Sequence, residues 1–281
     1  MFTSGLNASG LTALRVLQGN TSQLNASLLR LSTGDRIPRA SFDPASLITS
    51  ENYRTVLAAL SAEVRVAERA DRVIDTADAA LGEANGMLAE AEALAIANAN
   101  TAGLTDEERA ANQMQIDSIL ASVDRIAGST TFNGDTLLDG DSTVTVANES
   151  ITILNASTSA IGETEIDGET YTLADVAAGG ALNTVDGNIG DALDVIRQAR
   201  TDLSTARGAL GGFSSNTIAS QLDTLNITIE TTAAANSVIR DTDYAAETAN
   251  LARLMVLNDA SMAGLAIIAA NRYLTLDLLG A

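Results

Sequence analysis

Proline is nearly absent from this chain, and that absence constrains its fold more than any other feature. The 281 residues include two prolines, Pro38 and Pro44, so none interrupts the sequence beyond residue 44. Because proline is the strongest helix breaker, helices longer than those of an ordinary globular domain are permitted there. Apolar residues make up 46% of the chain and aromatic residues 3%, a composition typical of helix bundles and coiled coils.

Both ends of the chain are predicted to form apolar helices. The first has leucines at alternating three- and four-residue steps, a heptad seam in which Thr21 fills the one missing position. The last, from about residue 244 to 279, is apolar along one side and at its end. The predicted seam residues are Leu14, Leu17, Leu24, Leu28, Leu31, Leu251, Leu254, Met262, Leu265, Ile268, Leu278 and Leu279. Since so many apolar side chains at chain ends need cover, we expect them to form an assembly interface.

Three further helices are predicted between these ends. Asp43-Pro44 suits an N-cap followed by proline in the first turn, and nothing stops the helix that begins there before about residue 98. Thr105 and Glu108 form a capping box that opens the next helix, with Gly128 as a plausible end. A fourth helix runs from about residue 191 to 237. The long second helix predicts a rod with one apolar face.

The segment between residues 133 and 190 has a different sequence pattern from the helices on either side of it. Val144 and Val146 alternate with threonine, and Asp167-Gly168 is a typical hairpin turn. Residues 133–195 carry twelve acidic residues and no arginine. We therefore expect short β-hairpins in a loop-rich excursion that faces water.

Composition excludes most catalytic chemistry. The chain contains no histidine and no cysteine, so it cannot build a Ser-His-Asp or Cys-His relay or a site with histidine or thiolate metal ligands. We expect no enzyme activity, metal or cofactor. The net charge of −20 argues against nucleic acid and anionic membranes as partners. The longest apolar run, residues 265–270, is too short to cross a bilayer. The start, Met-Phe-Thr-Ser-Gly, has neither the positive charge nor the apolar run of a cleavable signal peptide, so general secretory export is not expected.

Five separated motifs, in the correct order, resemble those of bacterial flagellin. They are Leu31-Ser-Thr-Gly34 followed by Arg36-Ile37; Ala79-Ala-Leu81 with Glu83 and Leu88; Asp124-Arg125 followed by Phe132-Asn133-Gly134; Asp241-Thr-Asp243-Tyr244-Ala-Ala-Glu247; and Ala270-Asn271 with Leu278-Leu279. Each motif is weak alone, but their order along both ends of the chain makes the resemblance specific.

The resemblance implies a structural subunit that self-assembles into the extracellular flagellar filament for motility. The expected fold is mainly α, with long antiparallel helices that form a terminal coiled coil and a helical rod domain. Residues 1–43 and 240–281 would be the coiled-coil arms, 44–132 and 191–239 the rod, and 133–190 a short acidic hairpin insert facing outwards. Other copies of the chain, the flagellar export machinery with its chaperone, the filament cap and the hook-filament junction proteins are the implied partners.

Some flagellins are sensed by a Toll-like receptor through an arginine, a leucine and a glutamate on the rod. The equivalent positions here are Glu90, Leu94 and Gln115, so only the leucine matches. Because charge reversal at an interface weakens binding, we predict poor sensing by that receptor. A receptor reporter line exposed to purified monomer checks this, and a response equal to that of an activating flagellin would refute it.

Three other interpretations stay open from the sequence. A hook-filament junction protein would resemble flagellin at the same terminal helices. A filament subunit with an enzyme in its insert is disfavoured by the absence of histidine and the short insert. A glycan- or host-binding module would need an aromatic platform, but between Gly134 and Asp191 the only aromatic residue is Tyr171.

Overall fold

The computed structural model describes residues 8–100 and 103–280, and side chains within residues 10–100 and 103–270. The helices are α1 Ala8–Thr33, α2 Pro44–Ala99, α3 Asp106–Ser129, α4 Ile189–Gly212, α5 Ala219–Arg240 and α6 Tyr244–Gly280. The chain divides into two compact units, residues 1–59 with 229–281 and residues 60–228. The mainly α fold predicted from the sequence is confirmed.

The helices α2 and α3 begin where capping side chains satisfy their first backbone amides. At α2, the Ser46 amide donates to the Asp43 carboxylate at 3.1 Å, beside the predicted proline. At α3, the Glu108 amide donates to the Thr105 hydroxyl at 3.2 Å, and the Thr105 amide donates to the Glu108 carboxylate at 2.8 Å. This is the predicted capping box, and Asp106 and Glu107 add negative charge at the positive end of the helix dipole.

The fourth predicted helix is continuous but not uniform. A π-helical segment, Phe213–Ile218, joins α4 to α5 directly after Gly211 and Gly212. The Ser214 hydroxyl donates to the Asp71 carboxylate at 2.6 Å, and the Ile218 side chain is buried. The glycines therefore mark a change in winding instead of the end of a helix.

Short strands form three antiparallel pairs in the segment that follows α3. The strands are β1 Thr131–Phe132, β2 Asp135–Thr136, β3 Thr143–Val146, β4 Glu149–Thr152, β5 Thr164–Ile166 and β6 Glu169–Tyr171. Each pair turns through two residues with positive φ, namely Asn133-Gly134, Ala147-Asn148 and Asp167-Gly168. Positive φ at both turn positions is the geometry that matches strand twist in a tight hairpin. The predicted Asp-Gly turn is present, while β1–β2 was not predicted as a hairpin.

The hairpin segment packs into the core of residues 60–228. Its apolar side chains share one cluster with α2, α3 and α4, and its buried members are Leu137, Leu138, Val144, Val146, Ile153, Ala156, Ile161, Leu173, Val176 and Leu182. The apolar side chains of the segment therefore belong to the core, a packing that the sequence did not predict. The outward orientation of residues 133–190 stays a prediction. The acidic side chains were visible in the sequence, but the alternate apolar ones face the helices.

Within the described residues, one helix has the length and composition to cross a membrane. Residues Tyr244–Ala270 of α6 reach a mean hydropathy of 1.5 in their most apolar window, of which 6% is buried. The segment contains no unbroken apolar run of that length, because Asn258, Asp259 and Ser261 interrupt it. Length and composition are weak evidence for a membrane span, but they do show that α6 carries exposed apolar surface.

Candidate assembly interface

The two terminal helices pair with each other in antiparallel fashion. Near the start of α1, a methyl group on Gly10 would lie 3.9 Å from Ile268, in the middle Asn20 bonds to Ser261, and near its end Arg30 lies 3.6 Å from Glu247. In these three successive contacts, the residue number rises on α1 and falls on α6, so the two helices run in opposite directions. The arms thus form the antiparallel pair expected from their two apolar seams.

The seam on α1 lies one position away from the predicted one at half of its sites. The less exposed stripe consists of Ala13, Leu17, Asn20, Leu24, Ser27 and Leu31. Three predicted leucines are on it, whereas Leu14 and Leu28 are 42% and 46% exposed. Small and polar residues therefore occupy the alternate seam positions where Leu14, Thr21 and Leu28 were predicted.

The seam on α6 includes most of its predicted residues. Leu254 is 1% exposed, and Leu251, Leu265 and Ile268 are partly buried. Met262 lies off the seam and is 49% exposed. Leu278 and Leu279 lie in α6, but outside the residues whose side chains are described. Which of these residues contact other subunits stays a prediction.

A polar pair crosses the seam. The Asn20 side-chain amide donates to the Ser261 hydroxyl at 2.9 Å and to the Leu257 carbonyl at 3.4 Å. The Ser27 side chain is also buried in the seam. Buried polar positions cost stability in a coiled coil but favour one alignment of the helices.

Apolar side chains also cover the faces that point away from the seam. The exposed residues outside the predicted set are Leu11, Val16, Met255, Val256, Leu257 and Ile267. They escaped the heptad analysis because it selects a single stripe, whereas α6 is apolar around most of its circumference. Between the arms lies an apolar groove of about 400 Å³ lined by Thr12, Ala13, Val16, Ser261, Gly264 and Ile268.

The three receptor-equivalent positions lie on α2 and α3. Glu90 and Gln115 are exposed, and Leu94 is partly buried against the hydrophobic core. The poor receptor sensing inferred from these residues stays a prediction.

Two arginines shape the electrostatics of α2 and α4. Arg197 Nε donates to Glu92 Oε1 at 2.9 Å, and Arg200 also binds this carboxylate. Hydrogen bonds from Arg197 and Arg200 and their positive charges hold the pKa of Glu92 below its ordinary value. This carboxylate is an ion-pair partner, and within the described residues no three His, Cys, Asp or Glu side chains form a potential metal site.

Two family comparisons cover most of the chain. Residues 6–143 match the bacterial flagellin N-terminal helical region, and residues 193–279 match the bacterial flagellin C-terminal helical region.

Two similar proteins align with this chain over nearly their whole length, and both are flagellar proteins by name. The flagellin of Bacillus subtilis (strain 168) is 30% identical, with 92% of this chain and 94% of that protein aligned. The flagellar filament 30.7 kDa core protein of Treponema maltophilum is 27% identical over 92% of this chain and 93% of its own length. A solved structure of a flagellar hook-associated protein from Vibrio parahaemolyticus covers 71% of this chain and 99% of its own, with a TM-score of 0.54 and 16% identity. At that identity the likeness concerns the fold alone.

Proposed function

This chain belongs to the bacterial flagellin family, and from that premise we propose that α1 and α6 supply the surfaces through which its copies assemble. The chain is a structural subunit of the flagellar filament and not an enzyme. The filament is extracellular. What remains to be assigned is the part of the subunit that drives assembly.

The exposure of α6 carries the proposal. Among residues 244–270, Leu254 alone is buried, although this segment is the most hydrophobic helix of those described. Within the part of the chain whose side chains are described, Met255, Val256 and Ile267 are 53%, 67% and 62% exposed. Their natural partner in a self-assembling protein is the same arm pair of another copy.

Burial supplies the driving force. Covering apolar surface releases about 25 cal/mol per Å², so exposed stripes on both arms favour association. We assign three of the predicted seam residues to the surface that would contact other copies, because they are about half exposed in the subunit. They are Leu14, Leu28 and Met262. Within the subunit, Leu17, Leu24, Leu31 and Leu254 hold the arms together.

We also propose the three-part layout implied by the family resemblance. The arms at residues 1–43 and 240–281 would line the filament core, the helices at 44–132 and 191–239 would form the rod around it, and 133–190 would face outwards. Export without a cleavable signal peptide through the flagellar machinery, helped by a chaperone, belongs to the same proposal, as do contacts with the cap and junction proteins.

Removal of the last 30 residues tests the assembly role of α6. We expect residues 1–251 to remain soluble and largely helical by circular dichroism, because the core of residues 60–228 is untouched. Full-length protein mixed with filament seeds should polymerise, whereas the truncated protein should not. Filaments of the truncated protein in negative-stain electron microscopy would contradict the proposal.

A gene deletion separates a filament subunit from a junction protein. If this chain is the sole flagellin of its cell, its loss leaves hooks without filaments, and the chain itself dominates sheared filaments by mass. A junction protein would be a minor component of the same preparation.

A further inference from the structure

The seam between α1 and α6 contains few large apolar side chains with which to define its alignment. On α1, Leu17, Leu24 and Leu31 recur every seven residues, so a seven-residue shift keeps their spacing. On α6, the same shift exchanges Leu251 and Leu254 for the polar Asn258 and Ser261. Ala13, Asn20 and Ser27 occupy alternate positions on α1, so only about half of the seam consists of large apolar side chains. The Asn20–Ser261 hydrogen bond is one polar contact within the seam that depends on the alignment.

The two turns from which the arms emerge are joined by backbone hydrogen bonds. The Arg36 amide donates to the Arg240 carbonyl at 2.6 Å, and the Thr242 amide donates to the Gly34 carbonyl at 2.8 Å. These bonds make an antiparallel bridge between Asp35 and Asp241. The bridge connects the end of α1 to the start of α6, although the two are more than 200 residues apart in sequence.

The Arg240 side chain spans the same junction. Its Nε and Nη2 donate to the two carboxylate oxygens of Asp35 at 3.0 and 3.3 Å. Its Nη1 donates to Glu51 Oε1 at 3.0 Å. The hydrogen bond to Asp35 is the largest cause that raises the pKa of Arg240. Such two-point pairing fixes the direction of both groups as well as their distance.

Close contacts continue from this junction into the last turn of α1 and the first turn of α6. The Arg30 guanidinium lies 5.2 Å from the centre of the Phe42 ring and 3.6 Å from Glu247. Gly34 has a φ of 77°, and a side chain there would begin 3.0 Å from the Tyr244 hydroxyl. Both the backbone conformation and the space therefore favour glycine at this position.

We propose that Arg240 is a positioning residue for filament assembly, which sets the alignment of α1 on α6 by binding Asp35 and Glu51. We call these three residues and the backbone bridge the clasp. The inference rests on the proposed role of the arms, because the alignment decides which apolar side chains meet a neighbouring copy.

A misaligned arm pair cannot keep the clasp. A shift of seven residues moves one helix by about 10 Å along the other, far beyond the reach of the Arg240–Asp35 hydrogen bonds. The leucine spacing on α1 survives that shift, whereas the clasp does not. The clasp thus adds to the distinction between alignments that the Asn20–Ser261 hydrogen bond makes within the seam.

Engineered disulfides report the alignment, since the native chain has no cysteine. Asn20→Cys with Ser261→Cys reports the native alignment, because these two side chains touch. Asn20→Cys with Ile268→Cys reports a seven-residue shift. In the free subunit the native pair should oxidise to an intramolecular disulfide, seen on a non-reducing gel at monomer mass, and the shifted pair should not.

Adding Arg240→Ala should reverse this preference. We expect the native disulfide yield to fall roughly fivefold and the shifted one to appear, while circular dichroism shows unchanged helicity. Arg240→Lys, which keeps the charge but loses the two-point pairing, should give an intermediate yield. Arg54→Ala is the matched control, because Arg54 binds the same Glu51 from within its own helix.

Two results would overturn the clasp. One is an unchanged native disulfide yield in Arg240→Ala. The other is the loss of both disulfides together with helicity, which would make the clasp a general stabiliser and not a determinant of alignment. Because these yields are measured in the free subunit, they stand apart from the proposed function, which fails if the unmodified chain does not extend seeds.

The same substitutions should also affect polymerisation, with a large effect of Arg240→Ala and none of the control Arg54→Ala. With cysteine-free protein, Arg240→Ala should raise the critical concentration for seeded growth roughly tenfold, as judged by sedimentation, and Arg54→Ala should leave it unchanged. Equal critical concentrations for Arg240→Ala and the unmodified chain would also reject the assembly role of the clasp.

Discussion

At the scale of the residue, Gln113 ties the loop before α4 to the helix α3. Its carbonyl oxygen accepts hydrogen bonds from the Thr184 amide at 2.8 Å and the Thr184 hydroxyl at 2.6 Å. Its amide donates to the Val176 carbonyl at 2.9 Å and the Asp117 carboxylate at 2.9 Å. Because Gln113 and Thr184 are both buried, water cannot easily replace these hydrogen bonds if Gln113 is removed.

Gln113→Leu should lower the free energy of unfolding by about 2–3 kcal/mol, because the buried Thr184 amide and Val176 carbonyl lose their hydrogen-bond partner. The Thr184 hydroxyl keeps its hydrogen bond from Asn98. Gln115→Leu is the matched control two residues away, since Gln115 is exposed, and it should change stability by less than about 0.5 kcal/mol. Urea denaturation followed by circular dichroism measures both. Equal effects of the two substitutions would disprove the anchoring role.

The ion pairs of Glu92 should make stability depend on pH. Its folded-state pKa lies below the ordinary value of 4.5, so the carboxylate contributes stability above that pH and loses it as the pH falls through the folded pKa. Glu92→Gln should therefore be less stable than the native chain at pH 7 by an amount that shrinks below pH 4.5.

Urea denaturation of both proteins between pH 7 and pH 3 measures this convergence. Glu90→Gln, at an exposed site on the same helix, is the control and should track the native chain throughout. A deficit of Glu92→Gln that stays constant across this range would rule out the ion pairs as its cause.

At the scale of the element, α6 presents two different faces. Its seam face holds Leu254 against α1, and its outer face presents Val256, which is 67% exposed. If the outer face is the proposed assembly surface, the helix is stabilised in part within the subunit and in part by neighbouring copies. Substitutions on the two faces should differ in what they disturb.

Leu254→Ala should destabilise the arm pair in the free subunit by about 2–4 kcal/mol, because it leaves a cavity in the seam. Val256→Ala should leave the free subunit unchanged but raise the critical concentration for polymerisation. Hydrogen exchange of α1 and α6 separates the two effects, with faster exchange expected only in Leu254→Ala. Normal polymerisation by Val256→Ala would remove this residue from the proposed assembly surface.

The sequence predicts the helices well and their contacts less well. The helix starts are marked by local signals, in which the interacting residues are close together in sequence. They are Asp43 with Pro44, and the capping box of Thr105 and Glu108. The choice between Leu14 and Ala13 for the seam is not local, because it depends on how closely α6 approaches. Ala13, Asn20 and Ser27 lie on the less exposed stripe, while heptad counting favours the larger leucines beside them.

The same limit applies to the hairpin segment and the clasp. Asp167-Gly168 marks its turn locally, whereas the burial of Leu173 and Val176 depends on α3 and α4. Arg240 and Asp35 carry no motif that links them, because the pair is made by the convergence of two distant turns. Long-range pairs of this kind become visible only once the chain is folded.

At the scale of the whole molecule, charge is distributed so that acidity concentrates in the hairpin segment. The chain has a net charge of −20, and residues 133–195 contribute twelve acids without an arginine. Glu149, Glu163 and Glu165 are exposed on this segment. If residues 133–190 face outwards, every subunit adds negative charge to the filament surface, and filaments repel one another over a distance set by the ionic strength.

Neutralising those charges should make filaments bundle. Glu149→Gln, Glu163→Gln and Glu165→Gln together change the net charge from −20 to −17. We expect this variant to fold normally, since the three side chains are exposed, and its filaments to form bundles at lower salt than those of the native chain. Light scattering during a salt titration, with negative-stain microscopy of the products, measures the onset.

A second triple variant shows whether the position of the charges matters, because it removes the same number of charges from the helix α2. Glu63→Gln, Glu68→Gln and Asp75→Asn lie at exposed positions of that helix. If the hairpin segment forms the outer surface and α2 lies further inside, only the first variant shifts the onset of bundling. Equal shifts in both variants would mean that net charge alone controls bundling, and the outward placement of residues 133–190 would then lose its support.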